Sequence, residues 1–154
     1  MTTDAGGLAA VGTGRYTFPM LDTAELEWIS RWLDARFGLD ALWLFGSEAK
    51  GTARPGSDLD LAALFRRRPS ALDLLDTRAD LAHRLGRDVD LVDLDGASPI
   101  LAMQVVRHGR LLTEPNPTRR QRFVAGLPGR YEDLRIVRRQ AERALLERVR
   151  RGRS

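Results

Sequence analysis

The chain contains no cysteine, which excludes both a disulfide framework and a thiolate zinc site. Lysine is almost as scarce. Lys50 is the only one, so nearly all positive charge is carried by arginine. No apolar run approaches the ~20 residues needed to span a bilayer. The N-terminal stretch has neither the basic start nor the continuous apolar centre of a secretory signal. These absences lead to the expectation of a cytoplasmic protein with no membrane segment. The 154 residues suffice for one compact domain with a hydrophobic core of useful size.

Charge is present in quantity but unevenly placed. Residues 1–114 hold 13 Lys and Arg against 17 Asp and Glu, whereas residues 115–154 hold 12 Arg against 4 acids. An acidic body with a basic tail points to an acidic partner surface or to RNA. A solvated helix face would account for any single arginine.

Residues 1–20 are rich in Gly, Thr and Ala without a sustained period and are expected to form a flexible leader. Thr23 is a plausible cap for a helix reaching Phe37, with Leu26, Ile29 and Leu33 at helical spacing and Gly38 as its stop. Leu39 to Phe45 is almost wholly apolar, as a buried strand should be. Glu48 to Gly56 is a polar loop that could begin with one helical turn, and Leu59 to Phe65 is the partner strand. A helix starting after Pro69-Ser70 is expected to turn Leu72, Leu75, Ala79 and Leu85 inward and to stop at Gly86. Asp88 to Leu94 alternates acid and aliphatic as a third strand. Ser98-Pro99 caps a helix that ends near His108-Gly109. Arg110 to Thr113 could be a last strand. Pro115 and Pro117 mark a boundary before a long arginine-rich helix from Thr118 to Arg151, with a break expected near Pro128-Gly129. The fold class is α/β (α+β), a small mixed sheet packed by helices. The main domain is expected over 21–114 and a helical extension over 115–154.

The chemistry is concentrated in one stretch. An apolar run closes on Gly46-Ser47, ten residues intervene, and Asp58 and Asp60 follow with one leucine between them. Residues i and i+2 of a strand share a face, so the two carboxylates would lie side by side. Such a pair is costly unless a cation separates it, and Mg²⁺ takes carboxylate oxygens together with phosphate oxygens. A helix opening at Gly46-Ser47 would aim unpaired N–H groups at an anion. A phosphate cradle beside paired carboxylates is the chemistry of nucleotidyl transfer. A third ligand usually completes a two-metal site, and the third strand offers Asp88, Asp90, Asp93 and Asp95.

Gly46-Ser47, ten residues and Asp58-Leu59-Asp60 together resemble the signature of the DNA polymerase β-like nucleotidyltransferases. The run Gly51 to Ala62 narrows the resemblance to the minimal nucleotidyltransferases, the MntA-type antitoxins paired with HEPN-family toxins. Arg87 to Leu94 and Leu101 to Arg110 agree with it, and the similarity covers about residues 24–114. The resemblance implies that Asp90 joins Asp58 and Asp60 as catalytic and metal-binding residues holding two Mg²⁺ ions. Gly46 and Ser47 would grip the triphosphate of ATP, with Lys50 and Arg54 as candidates to neutralise its charge. It further implies transfer of AMP to a tyrosine of a HEPN ribonuclease toxin, in a hetero-oligomer docked through the arginine-rich helix. Nucleic acid is not expected as the direct substrate.

One departure stands out. Many relatives carry a basic residue after the Gly-Ser, where this chain has Glu48. An acid there favours a second reading, an antitoxin that neutralises by stoichiometric binding. A third keeps the transferase but gives it a small-molecule or RNA acceptor. Arg78 and His83 have the Arg-x4-His spacing of a HEPN ribonuclease site, but Leu85 stands where the characteristic tyrosine would be. His83 is therefore read as a partly exposed helix residue, and His108 as a cation at a helix C-terminus.

Overall fold

The computed structural model describes residues 21–50 and 58–152. Arg54, Ser57 and the leader 1–20 lie outside the described residues, as do the side chains of Glu48 and Lys50. Among the described residues five helices and four strands alternate: α1 (Thr23–Phe37), β1 (Leu39–Phe45), α2 (Gly46–Lys50), β2 (Leu59–Phe65), α3 (Ala71–Leu85), β3 (Val89–Asp93), α4 (Pro99–His108), β4 (Arg110–Thr113) and α5 (Pro117–Arg151).

The strands form one mixed sheet in the order β3-β2-β1-β4. β1 runs antiparallel to both β2 and β4, and β2 runs parallel to β3. Both faces are covered, which is why the strands read as nearly continuous apolar runs. On one face Leu59, Leu61 and Leu91 pack with Ile29 and Leu33 of α1 and Leu81 of α3. On the other, Ala62 and Leu64 pack with Ala102 and Val105 of α4 and Phe123 and Leu127 of α5. No described helix is long and apolar enough to cross a membrane.

Three expectations are corrected. Asp22 rather than Thr23 caps α1; its carboxylate accepts from the Glu25 N–H at 2.7 Å, and Glu25 accepts in return from the Asp22 N–H. In α3, Leu72 and Leu75 are 67% and 59% exposed, and Ala79 is exposed as well. The buried row is instead Thr77 and Leu81, with Leu74 and Leu85 packed partly against the core. Thr77 can be buried because its hydroxyl donates to the Asp73 carbonyl at 2.6 Å. Finally, α5 runs unbroken through Pro128. The ring removes one helical hydrogen bond, but Pro128 is exposed, and the preceding turns are anchored by buried Phe123 and Leu127.

The root of α5 is tied to the N-terminal end of β1. The Asn116 N–H donates to the Asp40 carbonyl at 3.0 Å, and Arg119 reaches Asp95 at 2.5 Å and Asp40 at 4.0 Å. Asp40 is 2% exposed, and Arg66 approaches it from the other side at 3.5 Å. Burial raises the Asp93 pKa above the ordinary carboxylate value, while the Asp95 N–H and Arg68 oppose that rise.

Candidate active site

The opposite end of the sheet assembles the residues singled out by the motif. β1 ends at Phe45, and its register partner on β2 is Asp60. Asp60 is in turn the register partner of Asp90 on β3. Neighbouring strands are separated by about 4.8 Å, so these two carboxylates start from adjacent backbone positions. Both alternate with core residues that face α1 and α3 (Leu59 and Leu61; Val89 and Leu91), which puts them on the face shared with α4 and α5. Asp58 precedes β2 by one residue and is exposed; Asp60 and Asp90 are half-buried.

Gly46 opens α2 with φ +72°, a left-handed backbone that favours glycine. A side chain there would also collide with Asp60. An added Cβ would fall within contact of Oδ2 and only 3.0 Å from Cγ. The glycine thus lets the strand-to-helix turn close directly over the carboxylate. Ser47 follows in the first turn of α2, which opens at the expected glycine.

Asp90 is held from the sheet edge. Arg78 of α3 donates through Nε and Nη2 to the Leu91 carbonyl, at 3.1 and 2.8 Å. Its Nη2 also lies 3.3 Å from Asp90 Oδ1. This clasp satisfies a carbonyl on an otherwise unpaired strand edge and accounts for Arg78, whose spacing to His83 had suggested a ribonuclease motif. His83 is exposed. No local pattern signals the clasp, because Arg78 and Asp90 meet only through the fold.

Asp60 and Asp90 are register partners on two adjacent strands, and Asp58 stands two residues before Asp60; carboxylates of this kind suit Mg²⁺. Among the described residues, however, no three His, Cys, Asp or Glu converge as metal ligands. Asp90 leans toward Arg78 instead. Beside this end, Ile100, Met103, Gln104, Arg107 and His108 of α4 and Tyr131 of α5 line a groove of about 140 Å³.

Residues 27–118 match the model of the polymerase beta nucleotidyltransferase family. Over 80 residues the chain is 44% identical to the protein adenylyltransferase MntA of Shewanella oneidensis, an alignment covering 48% of this chain and 53% of that relative. The chain therefore spans about half the length of that curated relative. Among solved structures, a toxin–antitoxin with AMP-PNP is 30% identical with a TM-score of 0.66, covering 78% of this chain and 98% of that one. The MNT antitoxin in complex with a tri-AMPylated HEPN toxin of S. oneidensis is 26% identical with a TM-score of 0.63, covering 80% and 94%.

Proposed function

The chain belongs to the polymerase β nucleotidyltransferase family, and on that premise we propose that it transfers AMP from ATP to a tyrosine of a cognate HEPN toxin, acting as its antitoxin. The observation that carries this reading is the Asp60 carboxylate pressed against Gly46 at a strand-to-helix turn, with Asp90 in register beside it. Relatives named as adenylyltransferases, and a solved complex in which the toxin is tri-AMPylated, support the acceptor class. A related structure with AMP-PNP supports ATP as donor. The setting is the cytoplasm.

In this reading the acceptor oxygen forms a bond to the α-phosphorus as the bond to the β-phosphate oxygen breaks. Pyrophosphate leaves, and the hydroxyl proton passes to a carboxylate or to solvent. Asp58, Asp60 and Asp90 would hold two Mg²⁺ ions, which when bound neutralise triphosphate charge and acidify the acceptor hydroxyl. Gly46 lets backbone approach the phosphates, and the Ser47 hydroxyl donates to one of them. Lys50 and Arg54 are the candidate cations for the remaining charge. Asp60 is fixed by the turn, whereas Asp90 must leave Arg78 to join it.

Two observations favour a second reading, a stoichiometric antitoxin with weak catalysis: Asp90 is engaged by Arg78, and Glu48 follows Gly46-Ser47 in sequence. The Asp58→Asn, Asp60→Asn double variant separates the two. Loss of AMP transfer together with loss of neutralisation supports the enzyme. A variant that still neutralises the toxin at one-to-one stoichiometry supports the binder.

A further inference from the structure

Charge at the catalytic end is unevenly satisfied. The acids there are Asp58, Asp60 and Asp90, and Glu48 follows Gly46-Ser47 in sequence. Arg78 is committed to Asp90 and to the Leu91 carbonyl. The other described arginines of residues 21–114 are engaged too, by carboxylates, a carbonyl, a tryptophan ring or another group. Arg107 and Arg110 are the exceptions. Neither has an ion pair or a hydrogen bond among the described residues, and the two flank Gly109 at the turn from α4 into β4.

Gly109 sets that turn against the end of β1. An added Cβ there would lie 3.0 Å from the Leu44 carbonyl, and Leu44 is the register partner of Arg110. Residues opposite one another in a sheet share a face, and Leu44 packs with the core on the α1 side. So do Leu112, two residues along β4, and Ala49 of α2. Arg110 therefore stands on the side of the sheet to which α2 folds, whereas Asp60 and Asp90 stand on the other. Gly46 lies between the two sides, two residues beyond Leu44. That is a strand distance of about 6.6 Å, within the reach of an arginine side chain. Arg107 lines the groove with Tyr131 instead.

Arg110 is half-buried, and its Nε is shielded from solvent without an acceptor. The other side-chain atom in that condition, Asp40 Oδ1, has Arg66 Nε 3.5 Å away. Arg110 has no opposite charge to balance it. Covering the stem of an unpaired cation costs free energy, but it holds the guanidinium in one place. A fixed planar fork of donors is suited to a phosphate.

We propose that Arg110 is a nucleotide-binding residue that holds the phosphates leaving as pyrophosphate. The identity of this ligand rests on the transferase reading. The phosphorus under attack lies on the Asp60 side of the Gly46 turn, and the departing phosphates lie on the Arg110 side. Charge that develops on the leaving group then meets a preorganised cation. That cation comes from β4, a different element from the segment that carries Lys50 and Arg54. An arginine that only guards the edge of the sheet would have no effect on nucleotide affinity.

The test measures binding of ATP and of AMP to the full chain by calorimetry, with Mg²⁺ and without toxin. Arg110→Met keeps a similar stem and removes the charge; Arg107→Met makes the same charge change on the other side of Gly109. Arg110→Met should weaken ATP binding about tenfold or more. AMP lacks the departing phosphates, so its affinity should change by less than about threefold. The melting temperature of Arg110→Met should equal or exceed the parent's, because the N–H it removes has no partner. Arg107→Met should leave both affinities within about threefold. An ATP affinity within about threefold of the parent in Arg110→Met overturns the proposal, as does an equal loss for ATP and AMP or for the two variants. A lower melting temperature accompanying lost ATP affinity makes Arg110 structural and overturns it as well. Initial rates of AMP transfer to purified HEPN toxin separate this proposal from the reading beneath it. If Arg110→Met loses ATP affinity and even the parent transfers no AMP, the binding residue stands and the transferase reading falls. If the parent transfers AMP and Arg110→Met does so with the same KM for ATP, the reverse holds.

Discussion

Replacing Gly46 with alanine separates backbone strain from a clash at the catalytic carboxylate, because Gly86 provides a matched control. Their φ angles are +72° and +67°. A left-handed conformation costs an L-residue roughly 1–2 kcal/mol, partly offset by the reduced freedom of the unfolded chain. Each alanine should therefore destabilise the protein by about 1 kcal/mol, a Tm loss of roughly 2–4 °C for a chain of this size. The sites differ in their surroundings. At Gly86 nothing lies within 4 Å of the added Cβ, whereas at Gly46 it meets Oδ2, Cγ and Cβ of Asp60. Relief requires the carboxylate to move by about 1 Å, and a displacement of that size can reduce catalysis on the order of 100-fold. Urea unfolding and initial rates of AMP transfer are the assays. Gly86→Ala should keep its rate within about threefold while Gly46→Ala loses about 100-fold or more. Similar rates for the two variants would refute the claim that the glycine makes room for Asp60.

Other perturbations test other parts of the structure. Arg78→Ala removes the clasp on the Leu91 carbonyl and Asp90; with Arg78 about one-third exposed, the loss should be about 1 kcal/mol by urea denaturation. Arg119→Met takes a cation from buried Asp40 and from Asp95, and thermal unfolding should show a loss of about 1–2 kcal/mol, below that of a fully buried pair. Asp93 has its folded pKa raised by burial from 3.8, so its contribution is fully present below that value and is lost as pH rises through the folded pKa. Asp93→Asn should remove that component of the pH–stability curve. Asp73 is shifted the other way by Ser70; Asp73→Asn should remove stability that is present above 3.8 and lost as pH falls through the lowered folded value.

The strands were legible because they are short apolar runs bounded by Gly, Pro and Asp. Leu39–Phe45 and Leu59–Phe65 were read to the residue. The phase of α3 was not. Leu72-Leu75-Ala79 and Leu74-Thr77-Leu81-Leu85 are both helical rows, and the polar Thr77 argues against the second. The second turns inward because a threonine can meet its own helix carbonyl, a compensation invisible to composition. Pro128 misled for a related reason: one lost hydrogen bond breaks a helix only when packing does not hold the adjoining turns. At the candidate site, the alignment of Asp60 with Asp90 follows from strand pairing and was implied by the family resemblance. The hold of Arg78 on Asp90 joins side chains from separate elements, and no local pattern encodes it.

The measurement that bears most directly on the central claim is intact-mass spectrometry of the HEPN toxin after incubation with this protein, ATP and Mg²⁺. The account predicts a gain of one or more adenylate groups that disappears with Asp60→Asn. A toxin that is bound and neutralised with its mass unchanged would contradict it.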